Sequence, residues 1–214
     1  MEYEGDRWVQ RLRDGVVPRP WTVLVSAALL TLGGTAALVG EFSGPAFFAH
    51  VTRPRAEFWV VAFPAFLVVL GLAIIIGTWR DGRRDRRTLD RIRQSGRQPA
   101  FFLPVSTRSL RTSEDLPRPR PALWTIDDSG IHGWVPQRAT AVVDVPWSAI
   151  RSVDLATKVR GGVRTDYGLW FGTTNGGSLV LAPRTTLGRP FSAGQTGLDV
   201  LMRVIRSLRR ELDR

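Results

Sequence analysis

Residues 58–98 read FWVVAFPAFLVVLGLAIIIGTWRDGRRDRRTLDRIRQSGRQ. An uncharged apolar run ends at Trp79, and the block 79–98 then brings eight arginines, three aspartates and no lysine. The 22 residues of 58–79 rise about 1.5 Å each as a helix, roughly the thickness of a bilayer's hydrocarbon core. A second uncharged window, 21–40 (WTVLVSAALLTLGGTAALVG), has the same property over 20 residues. Core helices of soluble domains are usually shorter and keep a polar stripe, so both windows are expected to span a membrane. A cleaved signal peptide fits 21–40 poorly. The apolar stretch is too long, the residues before it are neutral in net charge, and no small-residue cleavage site comes after it.

Charge orients this hairpin. Residues 1–20 hold four arginines, the connecting segment 41–57 two, and the block after the second window eight. Basic residues are retained on the cytoplasmic side, which places both termini inside a plasma membrane and 41–57 outside. Trp21 and Trp79 then mark the inner interface, and Phe58 and Trp59 the outer one. The arginine block, a helix over 80–98, carries Arg80, Arg83, Arg84, Arg86, Arg87, Arg91 and Arg93 as topology and membrane-surface residues. It is a stop-transfer signal first and a site of attraction to anionic headgroups second. It reads as the hinge between the membrane and the C-terminal half of the chain, with Asp85 and Asp90 available for local pairing.

Gly33-x-x-x-Ala37, Ala36-x-x-x-Gly40 and Ala73-x-x-x-Gly77 offer small-residue faces for helix packing, within the hairpin or against another membrane subunit. Neither window contains an ionisable residue, which argues against a transporter working alone. Twenty-nine arginines against one lysine, with abundant Ala and Gly, suggest a GC-rich bacterial genome.

Residues 99–121 carry five prolines and read as a linker. FFLPV within it is an apolar island, either an edge strand or an interfacial segment. From residue 122 the period becomes two: ALWTIDD, IHGWV, ATAVVDVPW, IRSVDLATKV, TDYGLWFGT and GSLVLAP are six short strands with turn residues between them, the pattern of an antiparallel barrel or sandwich. Asn175-Gly176 reads as a two-residue hairpin loop. Finally, Leu198, Leu201, Ile205, Leu208 and Leu212 share one face of an amphipathic helix with Thr196 as its N-cap.

The run IDDSGIHGW (126–134) with VPWSAIRSV (145–153) after it resembles bacterial pleckstrin-homology-like domains that follow transmembrane hairpins. The resemblance covers roughly residues 100–214. It implies a seven-stranded bent barrel closed by a C-terminal helix, with FFLPV as the seventh strand. Trp147 and Ile150 then read as structural core. The lysines and arginines by which phosphoinositide-binding members of the wider fold hold headgroups have no counterpart in the acidic first hairpin, DDSG. The expected architecture is therefore an α+β membrane protein, a two-helix hairpin and then a small antiparallel β-barrel in 122–214.

Chemistry is sparse. Cysteine is absent. His132 falls in a predicted strand, where a lone histidine is usually just hydrogen-bonded, and Asp127 and Asp128 are adjacent and point apart. Those two aspartates alternatively cap a turn, Ser129-Gly130 lacks a hydrolase elbow, and the Gly-Gly and Asn-Gly pairs precede no helix and so form no phosphate loop. No catalytic, metal or cofactor residue is expected. Lys158, Arg160 and Arg164 surround the Gly161-Gly162 turn as a small basic patch or a merely solvated tip. The reading reached is a noncatalytic, membrane-anchored scaffold or accessory subunit with a protein partner. The alternatives are a tethered nucleic-acid or anionic-lipid binder, or a factor assisting transport. Nucleic-acid recognition pairs basic groups with stacking aromatics, and the arginine block has only Trp79, which belongs to the span.

Overall fold

The computed structural model describes residues 7–43, 57–107, 111–112 and 118–212. Most of the expected outer loop, with His50, Arg53 and Arg55, lies outside the described residues, as do the side chains of Phe58, Trp59 and Arg160. The chain divides into two compact units, residues 19–80 and residues 1–18 with 81–214.

The first unit contains α2 (Trp21–Ser43) and most of the long helix α3 (Glu57–Gln94). Both are long and apolar enough, by length and composition, to cross a membrane. Their apolar side chains are largely exposed, including Leu29, Leu32, Phe63, Phe66, Val69 and Ile76, whereas a helix in a soluble core would bury them. Close approach of the two helices depends on Gly34 and Gly71. A Cβ on Gly34 would lie 2.7 Å from the Pro64 carbonyl oxygen, and one on Gly71 2.7 Å from that of Ala27. The expected small residues are not the ones that meet between these two helices, and their faces stay open for the other packing read in the sequence, against another membrane subunit. Gly33, Ala37 and Gly40 are exposed and Ala73 is too, with open space around Gly33 and Gly40 and Gly77 half-buried. Small residues do make the contact, but its stripe is Ala27, Thr31 and Gly34, rotated from the one read in the sequence.

The second unit opens with α1 (Arg7–Arg13) and resumes along the end of α3. Among the described residues it holds eight strands: β1 (Phe101–Pro104), β2 (Arg111–Thr112), β3 (Leu123–Ile126), β4 (Gly130–Trp134), β5 (Val143–Pro146), β6 (Ile150–Arg160), β7 (Val163–Thr173) and β8 (Ser178–Leu181). Helix α4 (Gln195–Leu212) closes the chain. The six strands expected after residue 122 are β3 to β8, and FFLPV supplies β1, an edge strand antiparallel to β3. The strands form two four-stranded antiparallel sheets, in orders β1-β3-β4-β5 and β2-β8-β7-β6. These sheets are not paired into a closed barrel, and the chain passes from the first to the second through the short helical turn Trp147–Ala149, starting the second at Ile150.

Turn chemistry tracks the residues. Gly161 and Gly162 have φ of 58° and 79°, the pair of positive values that a two-residue turn matching strand twist requires. The Asn175-Gly176 hairpin is one residue longer than expected. Thr173 N–H donates to the Gly177 carbonyl across a three-residue loop, and Gly176 takes φ 82°. Helix α4 begins at Gln195, with the Leu198 amide donating to the Gly194 carbonyl, so Thr196 lies inside the first turn rather than capping it. Its buried stripe is Leu198, Leu201, Val204, Ile205 and Leu208.

One core joins these elements. Trp124, Trp134, Phe101, Phe171, Ile131 and Leu169 are fully buried in it, and Trp147 and Ile150 are buried at the junction of the sheets. Val9 and Leu12 of α1, and Leu89 and Ile92 of α3, belong to the same cluster. Residues 81–94 are thus part of the domain and not a hinge to it.

Candidate functional site

The arginine block is sorted by the helix that carries it. At 3.6 residues per turn, Asp85, Thr88, Leu89 and Ile92 form one stripe, and all four are buried. Arg80, Arg83, Arg87 and Arg91 fall on the opposite side and are exposed, as are Arg86 and Arg93 on the flank. Arg93 reaches the Gly15 carbonyl at 3.4 Å. Arg84 departs from this pattern, because it is half-buried and donates to the Arg120 carbonyl at 3.0 Å, clamping the chain just before β3. The exposed set is a cationic face with its back fixed to a folded domain.

What fixes it is a buried ion pair. Asp85 is 1% exposed and receives Arg184 Nη2 at 2.8 and 3.0 Å on its two oxygens, with the Gly188 amide at 2.6 Å. Arg184, 4% exposed, also donates to the Arg189 carbonyl at 3.1 Å and approaches Asp81 at 3.9 Å. Gly188 has φ 75° and lies so close to Val17 that a Cβ would stand 2.8 Å from its methyl. The loop 183–190 is therefore wrapped over the end of α3 and the segment after α1. The expected local pairing of Asp85 is replaced by a partner 99 positions away.

A second polar cluster lies on the first sheet. Thr125, His132 and Asp144 stand in one register line with Phe102, so all share a face. His132 is buried and has a carboxylate at each ring nitrogen, Asp144 at 2.5 Å from Nδ1 and Asp127 at 2.9 Å from Nε2. Ser129 Oγ is also 2.9 Å from Nε2 and donates to Asp127 at 2.6 Å. Serine, histidine and aspartate here approach the distances of a hydrolytic triad. The surroundings serve the turn instead. The Ser129 hydroxyl proton goes to Asp127, the Ser129 amide donates to the same oxygen at 2.9 Å, and the Gly130 amide donates to the Asp127 carbonyl. The amides of Ser129 and Gly130, the donors an oxyanion at this serine would use first, are thus both engaged inside the turn. Burial pushes the Asp127 carboxyl up, but the Ser129 hydroxyl, His132 and the Ser129 amide together hold it below the usual carboxylate range. Arg97, 3.7 Å from Asp127, lies over the Trp134 ring. Trp147 Nε1 donates to the Asp127 carbonyl, tying the cluster to the sheet junction. Sequence patterns do not reveal this network, because Asp144 reaches His132 only through strand register.

Two further arginines act on the sheet edge. β6 ends its sheet, and its outward carbonyls would be bare. Arg206 of α4 donates to the Val153 carbonyl at 2.8 Å and to Asp154 at 2.5 Å, and Arg209 donates to the Ile150 carbonyl at 2.6 Å. Among the described residues, no group of three or more His, Cys, Asp or Glu is arranged to hold a metal ion. No family model, curated protein or solved structure matches this chain.

Proposed function

We propose that the chain is a noncatalytic membrane-anchored interaction module. In this reading α2 and α3 cross a bacterial plasma membrane, and the pleckstrin-homology-like domain is presented at the inner leaflet as a scaffold or accessory subunit of a larger membrane complex. The observation that carries it is the apolar exposure of the helix pair, with a basic, folded segment next to it in the chain. A second observation supports the topology. The segments on either side of the helix pair, α1 and residues 81–212, share one hydrophobic core, which requires both to lie on the same side of any membrane. The arginine counts favour the cytoplasmic side. Two antiparallel sheets with an amphipathic C-terminal helix accord with the resemblance carried by 126–134 and 145–153.

The reading is tested in native membranes. Alkaline carbonate should leave the full chain in the pellet. Because the chain has no cysteine, single cysteines at Arg7 and at Gln94 should both be shielded from an impermeant thiol reagent in intact cells and exposed after lysis. Crosslinking and then affinity purification should recover the same membrane partner repeatedly. Extraction by carbonate, or labelling of the two cysteines from opposite sides, overturns the topology. Repeated recovery of the protein alone overturns the accessory role.

A further inference from the structure

The hairpin of β6 and β7 is longer than the sheet that holds it. Each strand has 11 residues, but β8 pairs with β7 only from Leu169 to Gly172. Beyond the irregularity between Ala156 and Thr157, residues 157–166 continue as a two-stranded ribbon, paired Thr157 to Asp166 through Arg160 to Val163. An isolated two-stranded ribbon is marginal in water, and this one is closed by a turn with two positive-φ glycines that fixes its shape.

Its tip has an unusual composition. Residues 157–165, TKVRGGVRT, contain three bases and no acid. Val159 and Val163 are 72% and 65% exposed, the most exposed large apolar residues among those described in this unit. Val159 stands opposite Arg164 and Val163 opposite Arg160, so each face of the ribbon places an apolar residue beside a basic position. Lys158 lies over the Tyr167 ring at 5.9 Å, which sets a cation and an aromatic behind the valines. The last two pairs of the ribbon thus set valines level with basic positions, and Lys158 follows one pair behind. Exposed apolar groups interleaved with cations suit the boundary of an anionic bilayer, where long basic side chains reach phosphates while their neighbours enter the acyl layer.

We propose that this tip is a second membrane contact, in which Val159 and Val163 enter the interfacial layer of an anionic bilayer while Lys158 and Arg164 meet its phosphates. The proposal rests on the membrane-anchored reading for its setting but on the tip alone for its chemistry. Two methyl-bearing side chains and a few cations bind weakly, so the contact forms where an anchor already supplies a high local concentration of membrane.

The test uses the full chain in vesicles with Val159→Cys carrying an environment-sensitive fluorophore. In vesicles containing about a third anionic phospholipid the emission should shift to the blue and iodide quenching should fall, relative to purely zwitterionic vesicles. Lys158→Glu with Arg164→Glu should reverse the shift, each removed base weakening the contact about fivefold before the added repulsion. Both sites are exposed, so the fold is retained. A probe equally quenched in both vesicle types overturns the proposal. A blue shift equal in both, or one that grows with protein density in the vesicle, assigns the valines to a protein contact and overturns it as well. Carbonate extraction of the same vesicles reports on the helices separately. A silent probe in a carbonate-resistant chain overturns the hairpin contact alone, whereas a probe that responds in a chain removed by carbonate overturns the anchoring and supports the hairpin.

Discussion

Arg184 and Arg87 are the same residue type in one folded unit, yet they stand at opposite ends of a scale. Arg184 is buried against Asp85, with its guanidinium also donating to a backbone carbonyl, while Arg87 projects from the far side of the helix that carries Asp85. In a chain with 29 arginines, composition therefore tells little about role. Burial and partner decide it. Arg184 and Asp85 hold the end of α3 to the domain, and the exposed set is the surface that this attachment presents.

The comparison is broken most severely at Asp85. Asp85→Ala leaves the buried Arg184 charge with only the longer contact to Asp81 at 3.9 Å, and a buried charge stripped of its close partner costs up to about 3–5 kcal/mol. Thermal unfolding of the detergent-solubilised full chain, monitored by tryptophan fluorescence, should show a large fall in midpoint. Arg87→Ala should stay within about 0.5 kcal/mol of the parent. Equal effects of the two substitutions would remove the distinction. Replacing both partners together, Asp85→Leu with Arg184→Met, should recover part of the loss, since no charge is then stranded.

Arg206 and Arg209 sit between the extremes, half in solvent but bonded to the carbonyls of an edge strand. Arg206→Ala with Arg209→Ala should cost about 1 kcal/mol, because exposed bonds of this kind contribute modestly. The sharper readout is the edge itself. Amide hydrogen exchange should rise in residues 150–156 and not in β4, and concentration-dependent association should increase as β6 loses its cover.

These pairings also mark what can be read without coordinates. Strand positions, the turn residues and the α4 stripe are short-range patterns, and residues 122–212 carry them openly. The small-residue spacing in α2 is short-range too, but its rotation depends on α3, so Gly34 takes the place expected of Gly33. Asp85–Arg184 and His132–Asp144 join positions that only tertiary packing and strand register bring together. Val9 and Leu12 escape notice because a seven-residue helix gives too short a period to stand out, although Trp8, Val9 and Leu12 are its only apolar residues.

Asp127 supplies a smaller effect, visible only in acid. Its carboxyl is held below the usual range in the folded chain, so its contribution is present above the unfolded value, near pH 4, and is lost as pH falls through the lower folded value. Asp127→Asn should be somewhat less stable than the parent at pH 6. The difference should narrow as pH falls below about 4 and through the depressed value of the folded carboxyl. A gap that stays constant across that range would show that the network around His132 does not depend on this charge.

The smallest expected change in stability belongs to the exposed face, and it sharpens the comparison from the other end. Arg83→Gln, Arg86→Gln, Arg87→Gln and Arg91→Gln together remove four charges opposite the buried stripe and leave Arg84 on its carbonyl. The folded unit should lose no more than about 0.5 kcal/mol for each exposed change, and its unfolding should remain cooperative. If the face serves an anionic leaflet, the same variant should lose attraction on the order of 1 kcal/mol for each arginine near the surface, less what Asp81 and Asp90 already cancel. Raising the salt should then weaken the contact of the parent far more than that of the variant. Fluorescence contact of the domain with anionic vesicles, read with and without salt, separates the outcomes. A variant that unfolds early would make these arginines structural after all. One that keeps both its stability and its lipid contact would leave them with orientation of the helix pair as their whole role, and the topology assay on the same variant would show it.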